Sequence, residues 1–484
     1  MLSKFKTTRA TSDRSGFTLI ELMVSIVLVS IMMLAFSQVF RIATETIVDT
    51  RGIANNDEKA RTLTTIIKSD LETRTFRNVI PFDAGETAPI STDSDFELRD
   101  FEERLGYIYI SDNDISNDVD DVLQLTIDRF ISGQVTDTDL DNLIYGNAIT
   151  FENTDPTVDI KQPSWSDYQQ DNKNVEGLTA SRYAEVSYFV RNGNLYRRVL
   201  LLYTPVEGAN NQPQITSPPG DVISGDYDAT LDGLTSYATG DFWNDFDISA
   251  FHDGSQVYLN GVGVGAGKQD SLDNNTTGIA NPLAHPRTRF GFSYSSGLPR
   301  EFIQEAGTPI YIGRFTHAET SHFNFDYPGA DAGGSSSPLD LTTLDDSDTN
   351  GIVDTYEVTD PGPRQSEDLL MSNVLSFDVK LWDEALNAFV DIGHSLSGGD
   401  FEYSSTSVRD NYSPLAASYQ GSIFDTWHPT IDLYDGSAGN DSPPYRPDDG
   451  TDPLPIRAIQ ITIRYHDIQS DRTRQLTIQH SLID

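Results

Sequence analysis

The stretch RSGFTLIELMVSIVLVSIMMLAF, residues 14–36, decides the N-terminal part of the fold. From Phe17 to Phe36 all but four residues are apolar, and these four are Thr18, Glu21, Ser25 and Ser30. A helix rises about 1.5 Å per residue, so this run spans roughly 30 Å, the hydrocarbon thickness of a bilayer. The stretch therefore predicts a membrane-spanning helix that carries a carboxylate.

Residues 1–16 form a short basic leader in front of this helix. Their net charge is +3, from Lys4, Lys6, Arg9 and Arg14 against Asp13. Such charge keeps a leader on the cytoplasmic side. A secretory signal peptide has its small cleavage residue after the apolar run, whereas Gly16 lies before it. This order argues against cleavage by ordinary signal peptidase.

The carboxylate of Glu21 remains to be explained, because a charge in a membrane helix is energetically costly unless it has a partner.

The motif Gly16-Phe17-Thr18-Leu19-Ile20-Glu21 resembles the cleavage and methylation signal of type IV pilins and type II secretion pseudopilins. The resemblance implies that prepilin peptidase cuts after Gly16 and that Phe17 is N-methylated. It also implies that Glu21 meets the N-terminal ammonium of a neighbouring subunit in a helical filament. The implied location is the bacterial inner membrane, crossed once, with the soluble domain outside the cytoplasm before assembly into a periplasmic pseudopilus or a surface pilus.

Composition narrows the function classes. The chain has 484 residues and no cysteine, which excludes disulfides, thiol catalysis and cysteine-based zinc sites. Its net charge is −41, and removal of the +3 leader leaves −44. A nucleic-acid binder needs a basic footprint, so we expect no nucleic-acid contact. This negative charge could serve to bind divalent cations, or it could simply keep the protein soluble.

The pattern predicts an α+β fold. A long N-terminal helix is expected over 17–76, with its transmembrane half at 17–38, because apolar residues recur at helical spacing and the first following proline is Pro81. Near its end, Asp70 and Glu72 are expected to be solvated. Residues 77–484 are expected to form a β-rich, pilin-like soluble domain.

Several segments of the soluble domain predict strands. The clearest is a hairpin over 183–202 with a turn at Asn192-Gly193. The other predicted strands are 121–127, 374–382 with its return at 388–392, and a closing hairpin of 456–465 and 474–483.

Parts of these strands resemble J-type minor pseudopilins and the related W-type minor pilins. The matching pieces are LYRR at 195–198, VLSFDVKLWD at 374–383 and LPIRAIQITI at 454–463. Residues 205–370 and 395–450 depart from that pattern, are rich in Gly, Pro, Ser, Asp and Asn, and are predicted to be insertions. Loops of such length usually have a function or are disordered.

The segment 346–357, DSDTNGIVDTYE, matches the calcium-loop template. The expected ligands are the side chains of Asp346, Asp348, Asn350, Asp354 and Glu357 and the carbonyl of Ile352, with Gly351 at the turn. Flanking prolines argue against an EF-hand helix pair, so the loop is more similar to those of helix-free extracellular repeats. We expect a structural Ca2+ here, against the alternative of an acidic surface loop.

A weaker acidic pattern runs from Asp112 to Asp120. It lacks the glycine, and Leu123 stands where the bidentate acid belongs, so a solvated turn is favoured over a second calcium site. Candidate catalytic motifs also fail. The H-x-E-x-x-H of His317, Glu319 and His322 has the wrong spacing for a zinc protease, and G-x-S-x-G does not occur.

The sequence therefore predicts a structural subunit and not an enzyme. Its expected partners are prepilin peptidase, other minor and major pseudopilins or pilins, and the inner membrane. Two alternatives remain. One is a surface pilin for adhesion or DNA uptake, with a binding patch around Tyr227, Tyr237, Phe242 and Trp243. The other is an enzyme anchored by a pilin-type helix, which would need converging polar groups in a cleft.

Overall fold

The fold is taken from a computed structural model. It describes residues 16–75, 106–112, 118–129, 144–149, 178–202, 247–252, 257–260, 283, 289–292, 314–321, 339–345, 355–358, 362, 364–401, 422–426, 455–468 and 471–483. These residues divide into two compact units. The first holds the N-terminal helix up to Lys59 and Asp467–Arg472, and the second holds the rest of the helix and most of the strands.

Helix α1 runs from Leu19 to Glu72. Its last turns bury Leu63, Ile67 and Leu71, which lie on one helical face because they are four residues apart. The helix ends four residues before the predicted boundary of 76. There the backbone turns into the sheet, where the Thr75 N–H donates to the Thr126 carbonyl at 3.0 Å.

The strands after α1 are numbered in chain order. Their bounds are β1 Ile108–Asp112, β2 Val122–Asp128, β3 Ile144–Ile149, β4 Leu178–Ser181, β5 Tyr183–Arg191, β6 Asn194–Leu201, β7 Ala250–His252, β8 Val257–Leu259, β9 Leu339–Asp345, β10 Thr355–Val358, β11 Leu369–Ser372, β12 Val374–Asp383, β13 Ala388–Val390, β14 Ser422–Asp425, β15 Ala458–Asp467 and β16 Arg472–Ser481. A four-residue helix, α2, covers His317–Thr320. The α+β prediction is confirmed.

An antiparallel six-stranded sheet has the order β11-β6-β5-β2-β1-β14. Its central hairpin β5–β6 is the predicted one. Asn192 and Gly193 both have positive φ, 50° and 69°, which fits the Asn-Gly turn that matches the twist of paired strands.

A second antiparallel sheet has the order β13-β12-β15-β16. It contains the predicted strand at 374–382, its short return and the closing hairpin. Its inner face buries alternating apolar residues such as Val379, Leu381, Ile461 and Ile478. Buried residues from both sheets and the end of α1 form one hydrophobic cluster.

The two predicted insertions contain parts of the fold. Strand β14, inside 395–450, pairs with β1 and forms an edge of the six-stranded sheet. Within 205–370 lie the pairs β7–β8 and β9–β10, helix α2 and the start of β11. The described parts of both segments therefore contribute ordered backbone and buried side chains to the domain.

Candidate functional site

The first described residues form the junction that the sequence predicts as a cleavage site. Phe17 is 82% exposed, and a Cβ added at Gly16 would meet no heavy atom within 4 Å. Both residues precede the first residue of α1, Leu19. The Gly16–Phe17 bond thus lies in a short segment before the helix that no described part of the chain covers.

Glu21 forms a capping box with Thr18 at the start of α1. Its Oε2 accepts from the Thr18 backbone N–H at 2.9 Å and from the Thr18 hydroxyl at 3.0 Å, and the Glu21 N–H approaches Thr18 Oγ1 at 3.4 Å. This reciprocal arrangement satisfies helix N–H groups that have no partner in the preceding turn. Glu21 therefore has a local role in the isolated chain, in addition to the filament contact that the resemblance implies.

The surface of α1 beyond Glu21 is apolar and exposed. Over Leu19–Ile47 the helix is long and apolar enough to cross a membrane, and this span is not buried by the described protein. Its few hydroxyls are satisfied internally. Ser25 and Ser30 donate to carbonyls four residues earlier at 2.7 and 2.8 Å. A helix with satisfied polar groups and exposed apolar side chains is suited to an apolar environment of lipid or other helices.

A comparison with protein families settles the nature of this segment. Residues 11–37 match the model of the prokaryotic N-terminal methylation motif. The chain carries a prokaryotic N-terminal methylation motif. This match supports the interpretation that the chain is a type IV pilin or pseudopilin that is processed by prepilin peptidase. No curated protein and no solved structure matches the chain, and the resemblance to J-type or W-type subunits has no support from these comparisons.

The predicted calcium loop falls largely outside the described residues. Its ligand positions from Asp346 to Asp354 all do, while Glu357 lies on β10, where its backbone is paired with Asp340 of β9. Asp345 and Thr355 are also paired, so the segment 346–354 connects two antiparallel strands. The hairpin connection brings Asp345 and Thr355 together, whereas the backbone of Glu357 lies opposite Asp340, six positions before the first expected ligand, Asp346.

A second acidic group is partly buried. It consists of Asp112 and Asp120, from the segment expected to be a solvated turn, and of Asp121. One carboxylate oxygen from each of Asp112, Asp120 and Asp121 lies within 4.8 Å of the others. Asp112 is only 4% exposed, so the expectation of a solvated turn is wrong for this residue, and Asp121, the first residue of the predicted strand 121–127, is equally buried. Asp114 and Ser116 of the predicted pattern lie outside the described residues.

The acidic group sits where the two sheets meet. Asp121 Oδ2 accepts from the Val379 N–H of β12 at 2.6 Å. Burial raises the pKa of Asp121 well above its ordinary value, and the negative charges of Asp112 and Asp120 raise it further. Burial also raises the pKa of nearby Asp378 to about 6, although Lys380 opposes that shift.

Asp70 is buried, contrary to the expectation from the sequence. It is 1% exposed and binds Arg197 through two bonds of 2.7 and 2.9 Å. The Tyr188 hydroxyl donates to the same carboxylate. Glu72, by contrast, is exposed as predicted. Asp70 therefore fastens the end of α1 to the β5–β6 hairpin.

The opposite face of the six-stranded sheet carries a buried polar network that sequence reasoning missed. Glu185 accepts from the Ser249 hydroxyl at 2.6 Å and from Gln124 Nε2 at 2.6 Å. Nearby, Arg289 binds Asp425 at 2.6 Å, and its guanidinium lies over the Tyr107 ring. These contacts join segments of the 205–370 region to the sheet, and charge-assisted bonds of this kind stabilise buried polar groups.

The Glu319 side chain and the His317 backbone N–H have structural partners, whereas His317 Nδ1 is buried without a hydrogen bond to the described residues. Thr316 and Glu319 form a capping box at α2, and Glu319 lies 3.6 Å from Arg191. His317 Nδ1 lies 3.5 Å from Asp247 Oδ1. Burial, together with the charges of Arg198 and Arg364, lowers the pKa of His317 well below its ordinary value. His322 lies outside the described residues, so the geometry of the full motif is not defined.

Proposed function

We propose that this protein is a minor pseudopilin-like structural subunit. Prepilin peptidase cleaves it after Gly16, Phe17 is N-methylated, and the mature chain enters a type II secretion pseudopilus or a type IV pilus with other minor and major subunits. The observation that carries the proposal is the methylation motif at 11–37, placed directly before an exposed apolar helix.

The geometry of α1 suggests how assembly proceeds. In the inner membrane, lipid covers the apolar side chains of Leu19–Ile47. Extraction into a filament replaces lipid by neighbouring helices, so the exchange is nearly neutral for apolar surface, and polar contacts decide the register. Cleavage after Gly16 creates a charged N-terminal ammonium group on Phe17, which can make such a polar contact.

Glu21 supplies the complementary charge. A carboxylate in a low-dielectric helix bundle is tolerated when a cation lies beside it, whereas either charge alone is strongly unfavourable. Both hydrogen bonds from Thr18 fall on Oε2. The capping box holds the carboxylate at the start of the helix, beside the position that a neighbour's N-terminus would reach in a staggered bundle.

The soluble domain would be displayed on the filament with its β9–β10 loop loaded with Ca2+. Oxygen donors at alternating positions, from Asp346 to Glu357, suit a hard cation of this size. The pairing of Asp345 with Thr355 supports a closed loop. Bound Ca2+ would neutralise part of an acidic surface and order the loop, which is a structural and not a catalytic role.

Substitution of the cleavage residue tests the processing step. Gly16→Ala introduces a methyl group into open space, so the fold should be unchanged. We expect the variant to accumulate as a full-length, membrane-retained precursor when it is produced in cells with prepilin peptidase. Ser3→Ala, also in the leader, is the matched control and should mature normally. Normal maturation of Gly16→Ala would contradict the proposal.

A further inference from the structure

Strand β16 is an edge of its sheet among the described strands, and both of its arginines, Arg472 and Arg474, lie at its start. Among the described strands, β16 stands last in the order β13-β12-β15-β16. It is ten residues long, Arg472–Ser481, and contains neither proline nor glycine. Natural proteins usually blunt such edges with charges, prolines or bulges, because a bare edge is a template for another strand.

The outward face of β16 is polar but uncharged. The five residues of this face, Thr473, Gln475, Thr477, Gln479 and Ser481, are all exposed, and the one other exposed residue of the strand is Arg472 at its start. The opposite face turns inward, where Ile478 is 2% exposed. None of these five positions is charged, which suits the centre of an interface, where charged residues are rare.

The order of residues along β16 is a palindrome of chemical types about Thr477. Moving outward from Thr477 in either direction, one meets an aliphatic residue, an amide, a basic residue and a hydroxyl. The pairs are Leu476 with Ile478, Gln475 with Gln479, Arg474 with His480 and Thr473 with Ser481. An antiparallel strand related by a two-fold axis at Thr477 would therefore present like side chains to like.

Such a pairing is chemically favourable on the outward face. It places hydroxyls opposite hydroxyls and amides opposite amides, and cross-strand Thr–Thr, Thr–Ser and aliphatic pairs stabilise antiparallel sheets. The arrangement satisfies the rule for a symmetric dimer, in which the same patch on both copies must be self-complementary. The sequence of β16 thus specifies its own partner.

Charge and side-chain order also favour this edge. The hairpin segment 456–483 has four arginines and two aspartates, a net charge of +2 in a chain of −41. A contact between two copies of β16 brings no acidic residues of the strand face to face, because β16 contains none. Side chains of β16 are also held in register, since Gln479 Nε2 donates to Gln460 Oε1 at 2.9 Å.

From these observations we infer that β16 pairs with β16 of a second copy of this chain. The two strands run antiparallel about Thr477 and join two four-stranded sheets into one of eight strands. Nine paired residues on each strand bury less surface than the roughly 1,200 Å² that a stable interface buries. The contact therefore forms where α1 concentrates copies in one membrane, a condition that rests on the anchoring role of α1 in the proposed function.

The absence of native cysteine makes cross-linking a clean test. Two copies with different tags, one Gln475→Cys and one Gln479→Cys, are reconstituted as full-length protein in proteoliposomes and oxidised with copper phenanthroline. The predicted register puts position 475 opposite 479, within disulfide reach. We expect roughly tenfold more cross-linked dimer from the mixture than from either variant alone, because only the mixture has facing thiols. Thr477→Cys should cross-link by itself.

Two controls make the result decisive. Ser395→Cys is exposed and away from β16, and should give only background cross-linking. Thr477→Lys, added to both copies of the mixed pair, should reduce the yield to background because two ammonium groups would face each other, whereas Ser395→Lys should not. Equal yields at all positions, or a mixed yield no higher than that of Ser395→Cys, would overturn the inference. Mass spectrometry of the N-terminus tests the proposed processing after Gly16 separately, so a failure of the β16 pairing can be told apart from a failure of the proposed function.

Discussion

The Arg197 guanidinium donates two hydrogen bonds to the Asp70 carboxylate, from Nε to Oδ2 at 2.7 Å and from Nη2 to Oδ1 at 2.9 Å. Asp70 lies two residues before the end of α1, and Arg197 lies in the middle of β6. The pair therefore fastens the last turns of α1, which belong to the same compact unit as the strands, to the β5–β6 hairpin.

Loss of one partner of this pair should destabilise the domain. Asp70→Asn removes the charge from a site that is 1% exposed and leaves the Arg197 guanidinium without its counter-ion. Removal of one member of a buried pair costs about 3–5 kcal/mol, and we expect a loss near the lower end because Arg197 is 18% exposed. Urea unfolding of the intact protein in detergent, followed by circular dichroism, measures this loss. Glu72→Gln at the exposed neighbour is the control, and a loss as small as the control's would contradict the anchoring role.

The acidic group at the sheet junction predicts a particular pH dependence. Because the folded-state pKa of Asp121 is raised, its contribution to stability is full below the unfolded pKa and is lost as pH rises through the folded pKa. Asp378, with its pKa raised to about 6, acts in the same direction. Asp121→Asn keeps an oxygen acceptor for the Val379 N–H but cannot ionise.

We therefore expect Asp121→Asn to raise the unfolding temperature at pH 7 in the presence of a chelator, and to have little effect at pH 3. Differential scanning calorimetry of the intact protein at both pH values is the measurement. Asp118→Asn, whose side chain is 41% exposed, is the control and should change little at either pH. A decrease for Asp121→Asn at pH 7 would mean that its ionised form is stabilised in the fold.

Local features of the sequence predicted the local structure well. The Asn192-Gly193 turn and alternating apolar residues predicted β5 and β6, since a hairpin is encoded by neighbouring residues. The Asp70–Arg197 pair joins residues 127 positions apart, and no local pattern encodes such a contact. Strand β14 was missed for the same reason, because its partner β1 lies far away in the chain.

One signal for the buried network was present in the sequence. Arg197 and Arg198 are adjacent in a strand, so their side chains point to opposite faces of the sheet. If both faces are covered, each face must bury an arginine. Arg197 meets the helix side through Asp70, and Arg198 donates to the Phe315 carbonyl at 2.9 Å and to Thr320 Oγ1 at 3.0 Å. The consecutive arginines of the LYRR segment thus indicate a sheet packed on two sides.

A close approach at Gly106 gives a second stability prediction. A Cβ there would overlap the Thr126 side chain and lie 2.7 Å from Thr75 Oγ1. Gly106→Ala should therefore cost about 1–3 kcal/mol through overpacking, measured as a lower urea midpoint. Gly16→Ala, which adds the same methyl group where nothing lies within 4 Å, is the matched control when both variants are produced without prepilin peptidase, so that both keep the leader. Equal midpoints for the two variants would contradict the packing described at the end of α1.

Substitutions of Glu21 separate its two roles. Glu21→Gln retains an oxygen that can accept from the Thr18 N–H but has no charge, whereas Glu21→Ala loses both functions. If the charge pairs with a neighbour's ammonium, both variants should fail to enter filaments, because an unpaired buried ammonium costs several kcal/mol. Filament fractions probed by immunoblotting give the readout, and circular dichroism checks that the domain stays folded. Normal assembly of Glu21→Gln would assign the residue to helix capping alone.

The calcium proposal predicts a heat of binding that depends on the β9–β10 loop. Isothermal titration of the intact, chelator-treated protein should detect Ca2+, and the loop site should disappear in the Asp346→Ala/Asp348→Ala double variant. The Asp118→Asn variant carries an exposed substitution outside this loop and should retain the site. Unchanged isotherms in the double variant would remove the loop as the binding site.

The central claim is that the Gly16–Phe17 bond is a prepilin peptidase site, and mass spectrometry of the mature protein tests it most directly. The N-terminal peptide should begin at Phe17 and carry one additional methyl group on its amine. A mature N-terminus at any other residue, or an unmethylated Phe17 in cells that methylate their other pilins, would contradict the account.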